Sequence, residues 1–157
     1  MAVNHQIGIM KRLIFLLLLI TTPVNAETFT AQVIGVTDGD TIKVLVNQQP
    51  IKIRLHGIDA PERSQAYGRA ATQHLKAILC NPVTVEARTQ DRYGRTIAIL
   101  YCDGKDINAA MVQGGYAWAY QRYSLEYVSQ EESARKARRG LWQDKHAIPP
   151  WQYRSMK

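Results

Sequence analysis

The sequence lacks the features that mark several classes of protein. It has no internal repeat, no low-complexity segment and no run of five or more basic residues, so neither a repeat array nor a purely electrostatic tail is expected. Only two cysteines are present, and no histidine lies at zinc-ligand spacing from either, which argues against a zinc site. The one strongly apolar run, at 13–20, is too short to span a membrane.

The N-terminal segment has the pattern of a secretory signal peptide. Lys11 and Arg12 precede the apolar run, and small residues follow it up to Ala26. A retained membrane anchor is the alternative, and the shortness of the run disfavours it. We therefore expect a signal peptide at 1–26, cleavage near Ala26, export to the periplasm or beyond the cell, and no stable membrane association afterwards.

The remaining chain is basic and contains both cysteines. The formal charge is +7, and loss of the two positive charges of Lys11 and Arg12 leaves +5. A basic exported domain suggests an anionic partner such as nucleic acid or acidic lipid. An even number of cysteines in an exported protein favours a disulfide, here between Cys80 and Cys102. We expect a monomer with this single structural bridge.

Alternation of apolar and polar residues predicts five strands, at 29–36, 42–46, 51–55, 83–87 and 96–101. Helical periodicity predicts three helices, at 67–80, at 106–113 with Asp106 as N-cap, and at 124–139 with Ser124 as N-cap. Five short strands with a helix after the third predict an α+β fold built on a five-stranded oligonucleotide-binding (OB-fold) barrel. We expect this domain at 27–145 and an irregular tail at 146–157.

Three acids and one arginine carry the strongest chemical signal. Asp40 lies in a turn after the first strand, and the motif RLHGIDAPE places Arg54, Asp59 and Glu62 at the end of the third. A strand meander would bring the three acids together, where their mutual repulsion favours a hard cation such as Ca²⁺ or Mg²⁺. The guanidinium fork of Arg54 matches two phosphate oxygens. A hairpin turn and a surface ion pair are the purely structural alternatives.

Four motifs in order resemble the signatures of the thermonuclease (staphylococcal nuclease-like) family: DGDTIKV at 38–44, RLHGIDAPE at 54–62, DRYGR at 91–95 and GLW at 140–142. The resemblance covers most of the chain after the signal peptide. It implies a five-stranded OB-fold barrel with three helices. It also implies hydrolysis of both DNA and RNA with Ca²⁺ as the cofactor.

The resemblance also implies individual roles. The implied calcium ligands are two carboxylates and one main-chain carbonyl, from Asp40, Asp59 and Ala60. The implied catalytic residues are two that hold the scissile phosphate and one general base acting on water, namely Arg54, Arg95 and Glu62. The implied nucleic-acid contacts are Arg92, Tyr93 and Tyr123.

Two other functions remain as alternatives to a nuclease. A barrel that binds single-stranded nucleic acid without cutting it needs basic and aromatic residues, but has no use for three acids that repel phosphates. A purely structural calcium site accounts for the acids and leaves Arg54 and Arg95 unexplained.

Overall fold

The computed structural model describes residues 27–157. The predicted signal peptide lies outside these residues. The strands are β1 (Glu27–Asp38), β2 (Thr41–Val46), β3 (Gln49–Leu55), β4 (Ile58–Asp59), β5 (Val83–Gln90), β6 (Thr96–Cys102), β7 (Lys105–Asp106) and β8 (Trp118–Ala119). The helices are α1 (Gly68–Ile78), α2 (Ile107–Gln113), α3 (Val128–Lys136) and α4 (Pro150–Ser155). Within 27–157, no helix has the length and apolar character that a membrane crossing requires.

Five strands close into a barrel. Their order is β3-β2-β1-β5-β6 with antiparallel pairing, and a parallel pairing of β3 with β6 closes the ring. The long β1 serves two neighbours, pairing with β5 through 27–31 and with β2 through 32–38. A register shift between Val33 and Gly35 interrupts its ladder with β2, as β-bulges do where a strand bends at a barrel corner. The predicted α+β architecture with a five-stranded OB-fold barrel is confirmed.

The core fills the barrel with the side chains that alternate inward. Ile42 and Val44 of β2 and Ile53 and Leu55 of β3 are buried. From outside the barrel, α1 adds Leu75, which is also buried. Burying one such side chain contributes about 1.5–3 kcal/mol, so this alternating set holds the strand ends in place.

The predicted disulfide is present. Cys80 follows the end of α1 and Cys102 ends β6, with 5.6 Å between their Cα atoms. The bridge therefore ties the segment after α1 to the end of β6.

The first two helices lie where the sequence predicts them, but α3 is shorter than the predicted range of 124–139. Ser124 does not cap it, because its hydroxyl accepts a hydrogen bond from the amide of Glu126 at 3.1 Å in a turn. The buried Tyr127 then donates its hydroxyl to Asp106 at 3.1 Å, which anchors this turn to the N-cap of α2. The residues before α3 therefore form a packed turn and do not extend the helix.

The C-terminal segment corrects the expectation of an irregular tail. Residues 150–155 form α4, a fourth helix in addition to the three predicted. Pro150 occupies the first turn, where its fixed φ suits a helix and its missing amide proton is not needed. The flanking prolines masked this short helix in the sequence pattern, and aromatic packing described below holds it against the barrel.

Candidate active site

Asp40 and Asp59 are held side by side at the mouth of the barrel. The main-chain carbonyl of Asp40 accepts a hydrogen bond from the amide of Leu55 at 2.8 Å, which joins the start of β2 to the end of β3. Its Oδ2 accepts a second from the amide of Ala60 at 2.6 Å. Asp59 precedes Ala60 directly, and its side chain is only 1% exposed. The two acids are therefore placed by main-chain contacts.

Arg54 lies between these two acids. One guanidinium nitrogen, Nη2, is 3.2 Å from Oδ2 of Asp40 and 3.0 Å from Oδ1 of Asp59. The other, Nη1, donates to the main-chain carbonyls of Leu55 and Ile58 at 3.0 and 2.9 Å. The side chain is 13% exposed, so this charge is largely removed from water. Such charge-assisted hydrogen bonds fix the fork in one orientation.

Negative charge is crowded at this mouth. Burial raises the pKa of Asp59, and the nearby charge of Asp40 acts in the same direction, against opposing hydrogen bonds from Arg154. Burial and the charge of Asp40 likewise raise the pKa of Asp38 to about 6. Both shifts show that these carboxylates resist carrying their full charge together.

This donor set fits a hard divalent cation. Carboxylate and carbonyl oxygens are the ligands that Ca²⁺ and Mg²⁺ take, and an added cation would counteract both the burial that mainly raises the two pKa values and the smaller repulsion from Asp40. Asp40 and Asp59 could supply one carboxylate each, and Ala60 belongs to the turn that Asp40 fixes. These three residues are thus close enough in the fold to act as the predicted ligands.

Glu62 does not join the other two acids, which corrects the expectation that three carboxylates meet around one ion. In the residues that the structure describes, no group of three or more acidic, histidine or cysteine side chains is arranged to hold a metal. Oε1 of Glu62 instead pairs with Nη1 of Arg154 at 2.7 Å. The same Arg154 pairs through Nη2 with Oδ2 of Asp59 at 2.8 Å. The hydrogen bonds that Arg154 donates, to Asp59 above all and also to Glu62, raise its pKa.

Arg95 is positioned by the turn between β5 and β6. The carboxylate of Asp91 accepts hydrogen bonds from the amides of Tyr93 and Arg95 at 2.9 and 3.0 Å and from Nε of Arg95 at 2.8 Å. Burial opposes ionisation of Asp91, but these hydrogen bonds outweigh it and lower its pKa. Gly94 has a φ of +77°, the left-handed conformation that glycine adopts without strain. The DRYGR motif is thus a self-capped turn that presents an arginine.

One cleft of about 950 Å³ brings the predicted residues together. Its lining contains the predicted site residues Asp40, Arg54, Asp59, Ala60, Glu62, Arg92, Tyr93, Arg95 and Tyr123. Tyr93 and Tyr123 are each 68% exposed, and the guanidinium carbon atoms of Arg92 and Arg95 lie 4.8 and 5.6 Å from the centre of the Tyr93 ring. The cleft therefore combines buried acids, arginines and exposed aromatic rings on one face of the barrel.

Comparison with known proteins agrees with this arrangement. A sequence profile described as "Staphylococcal nuclease homologue" matches residues 52–144. An "Uncharacterized endonuclease" of Escherichia coli O157:H7 is 40% identical over 151 residues, which cover 94% of this chain and 99% of that protein. The chain belongs to the staphylococcal nuclease family. A "Micrococcal nuclease" of Shigella flexneri is 42% identical over 151 residues, covering 87% of this chain and 86% of the relative.

The family also has members in plants, and the region that its profile matches does not contain every residue of the cleft. "Staphylococcal-like nuclease CAN1" of Arabidopsis thaliana is 38% identical over 109 residues, covering 68% of this chain and 34% of the plant protein. The family profile includes Arg54, Glu62 and Arg95, but it begins after Asp40 and ends before Arg154. Membership in a nuclease family supports a nuclease activity. The cleft residues outside the matched region are assigned to the cleft by the fold alone.

The cleft residues that the sequence did not indicate include Tyr120, Arg122 and Arg154. Tyr120 directly follows β8, which pairs with β4 next to Asp59, and its ring stacks on Trp151 at 5.2 Å. Strands of only two residues, such as β4 and β8, are too short to show a periodic pattern in the sequence. Arg154 is 95 residues from Asp59 along the chain, and no motif contains it.

Proposed function

We propose that this protein is an exported, monomeric, calcium-dependent phosphodiesterase that cuts DNA and RNA within the chain, with little sugar specificity. The observation that carries the proposal is that Arg54 lies between two buried acids in the cleft that also contains Glu62 and Arg95. Relatives named endonuclease and micrococcal nuclease support the same reaction class.

The arginines are suited to a phosphodiester. Hydrolysis spreads negative charge over the phosphate oxygens, so fixed positive charges at those oxygens accelerate it. Arg54 is held by two main-chain carbonyls, and Arg95 by the Asp91 turn, so neither needs the substrate to order it. We assign them to hold the scissile phosphate from two sides, with Arg92, Tyr93 and Tyr123 contacting the flanking nucleotides.

Asp40, Asp59 and the carbonyl of Ala60 are the proposed calcium ligands. Bound Ca²⁺ would supply a Lewis acid for a phosphate oxygen and lower the pKa of a bound water. Glu62 lines the cleft on the open side, with its side chain 37% exposed, where solvent reaches it. We assign it to accept the proton of the attacking water as general base.

The test uses the exported protein, purified from cells expressing the full chain, with heat-denatured DNA and with RNA. Cutting of both polymers that requires Ca²⁺ and stops with chelator supports the proposal. Retarded but uncut nucleic acid would identify a binding barrel, and no interaction would leave a structural role for the acids.

Glu62→Gln provides the site-specific arm of this test, because it removes the base while keeping the size of the side chain. Glu132→Gln on α3 makes the same chemical change at a residue outside the cleft lining and serves as its control. The proposal predicts a large loss of cutting in the first variant alone. Equal activity of the two variants would contradict the role of Glu62.

Export has its own test. The proposal predicts that the protein recovered outside the cytoplasm begins at Glu27, as N-terminal sequencing would report. Recovery of the intact chain in the membrane fraction would support the retained anchor instead.

A further inference from the structure

Helix α4 lies beside the candidate active site, whose lining includes its Arg154, and contacts from two parts of the chain hold it there. The ring of Trp151 stacks on Tyr120, with 5.2 Å between centroids and 10° between planes. The hydroxyl of Tyr153 donates to the main-chain carbonyl of Ser64 at 3.3 Å, just after Glu62. The side-chain amide of Gln65 donates to the carbonyl of Ile148 at 2.6 Å, directly before the helix. These contacts hold α4 in one orientation, with Arg154 in the lining of the cleft.

Arg154 on this helix occupies both oxygens of Asp59. Its Nη2 lies 2.8 Å from Oδ2 and its Nη1 lies 3.3 Å from Oδ1. Nη1 also donates to Oε1 of Glu62 at 2.7 Å. Within residues 27–157, the hydrogen bonds of this guanidinium all go to carboxylates. Arg154 therefore neutralises the acids of the cleft with a positive charge that the chain itself carries.

The same oxygens are needed for the proposed reaction. A calcium ligand presents its carboxylate oxygen to the ion, and a general base presents its oxygen to water. While the guanidinium is bonded to Asp59 and Glu62, neither the ion nor the water can occupy the positions beside those carboxylate oxygens. The positive charge of the guanidinium also repels an approaching cation. Trp151 likewise covers one face of Tyr120, an aromatic ring of the cleft lining.

We propose that α4 is a built-in lid, in which Arg154 acts as an internal counter-ion that competes with Ca²⁺ for Asp59 and with the attacking water for Glu62. Binding of the ion releases Arg154 and loosens the helix, so that the closed and the metal-loaded forms exclude each other. The inference rests on the proposed function for the identity of the ion. It deepens that function by making calcium the signal that opens the cleft.

Calorimetric titration with Ca²⁺, in the absence of nucleic acid, tests the competition. Arg154→Gln is expected to bind Ca²⁺ about tenfold more tightly than wild type, because a competing closed state reduces apparent affinity in proportion to its population. Lys157→Gln is the matched control, because it removes one positive charge from the same segment and contacts Ser64 instead of an acid. Its affinity should stay near that of wild type.

Hydrogen exchange reports on the helix itself. Ca²⁺ should accelerate exchange of the amides in 150–155 while it slows exchange at the barrel mouth. Slower exchange in both regions would overturn the lid, because it would mean that the ion and α4 bind together.

The outcomes separate this inference from the proposed function. Calcium-dependent cutting by wild type, combined with unchanged or weaker Ca²⁺ binding by Arg154→Gln, overturns the lid alone and leaves the nuclease. Absence of both Ca²⁺ binding and cutting in wild type and variant overturns both. Tighter binding by Arg154→Gln, with Lys157→Gln unchanged, supports the lid.

Discussion

Two arginines meet the same carboxylate, and they are held in different ways. Arg54 and Arg154 both donate to Oδ1 of Asp59, at 3.0 and 3.3 Å. Arg54 comes from a barrel strand, is 13% exposed and is also bonded to two main-chain carbonyls. Arg154 comes from a six-residue helix, is 44% exposed and bonds only to carboxylates among the described residues.

This difference indicates that the position of Arg54 is fixed, whereas the position of Arg154 depends on the charge of the acids. If the acids take up a cation, Arg54 still has its two carbonyl partners and stays in place. Arg154 would lose the partners that hold it. The barrel thus supplies the permanent part of the site, and the C-terminal segment supplies a part that depends on the charge state of the cleft.

The largest expected effect tests the fixed part. Arg54→Ala should lower kcat/KM on denatured DNA about a thousandfold or more, as loss of a positioned arginine does in phosphoryl transfer. Circular dichroism should still report a folded barrel. Arg88→Ala, which removes an arginine paired with Glu86 outside the cleft lining, should stay within a few-fold of wild type. An equal loss in Arg154→Ala at saturating Ca²⁺ would break the distinction between the two arginines.

A second prediction concerns the disulfide between Cys80 and Cys102. Replacing Cys80 and Cys102 together by alanine should lower the free energy of unfolding by about 3 kcal/mol, because the unfolded chain regains the entropy of an open loop. Urea denaturation measures this, with the reduced wild type as a second comparison. The Ca²⁺ affinity of the folded variant should not change. A changed affinity would show that the bridge also shapes the cleft.

The attachment of the C-terminal segment should be weaker. Trp151→Ala removes the stacking on Tyr120 and an edge contact with Trp118, and should cost about 1 kcal/mol of unfolding free energy. Met156→Ala in the same segment changes an exposed side chain and should cost little. Hydrogen exchange in 150–155 should rise in the first variant only. A loss as large as that of the disulfide variant would mean that α4 is an integral part of the barrel.

The smallest effect is a pH dependence that arises at His74 on α1, which is not part of the cleft lining. Burial lowers the pKa of His74, whose ring stacks on Tyr116 at 3.9 Å. Below its ordinary value of 6.5, the unfolded chain binds a proton that the folded protein excludes. Stability present above pH 6.5 is therefore lost as pH falls. His74→Gln should flatten the slope of unfolding free energy against pH below 6.5, and an unchanged slope would contradict this origin.

Much of the fold was predictable from the sequence because its signals are local. The alternation of Ile42 and Val44 in one strand, and of Ile53 and Leu55 in another, marks which faces are buried, and Asp106 is an N-cap whatever surrounds it. The start of α3 was not predictable in this way. There Ser124 enters a turn, because Tyr127 gains a buried position and a partner on another element.

The candidate site likewise has a part that the sequence predicted and a part that it did not. The motifs predicted that Asp40, Arg54 and Asp59 come together, since a tight meander fixes the separation of its strand ends. The pairing of Glu62 with Arg154 was not predicted, because no motif contains Arg154. Arg154 reaches the cleft through the packing of Trp151 on Tyr120 and the hydrogen bonds that join the C-terminal segment to Ser64 and Gln65.

The sequence by itself determined the barrel, the disulfide and the approach of Arg54 to Asp40 and Asp59, because alternation, turns and motifs act over a few residues. Only the tertiary structure decided that the segment after the last predicted helix folds back and places a guanidinium on Asp59 and Glu62. A contact between residues more than 90 positions apart depends on the surfaces that meet after the core has formed, and no short stretch of the chain encodes it.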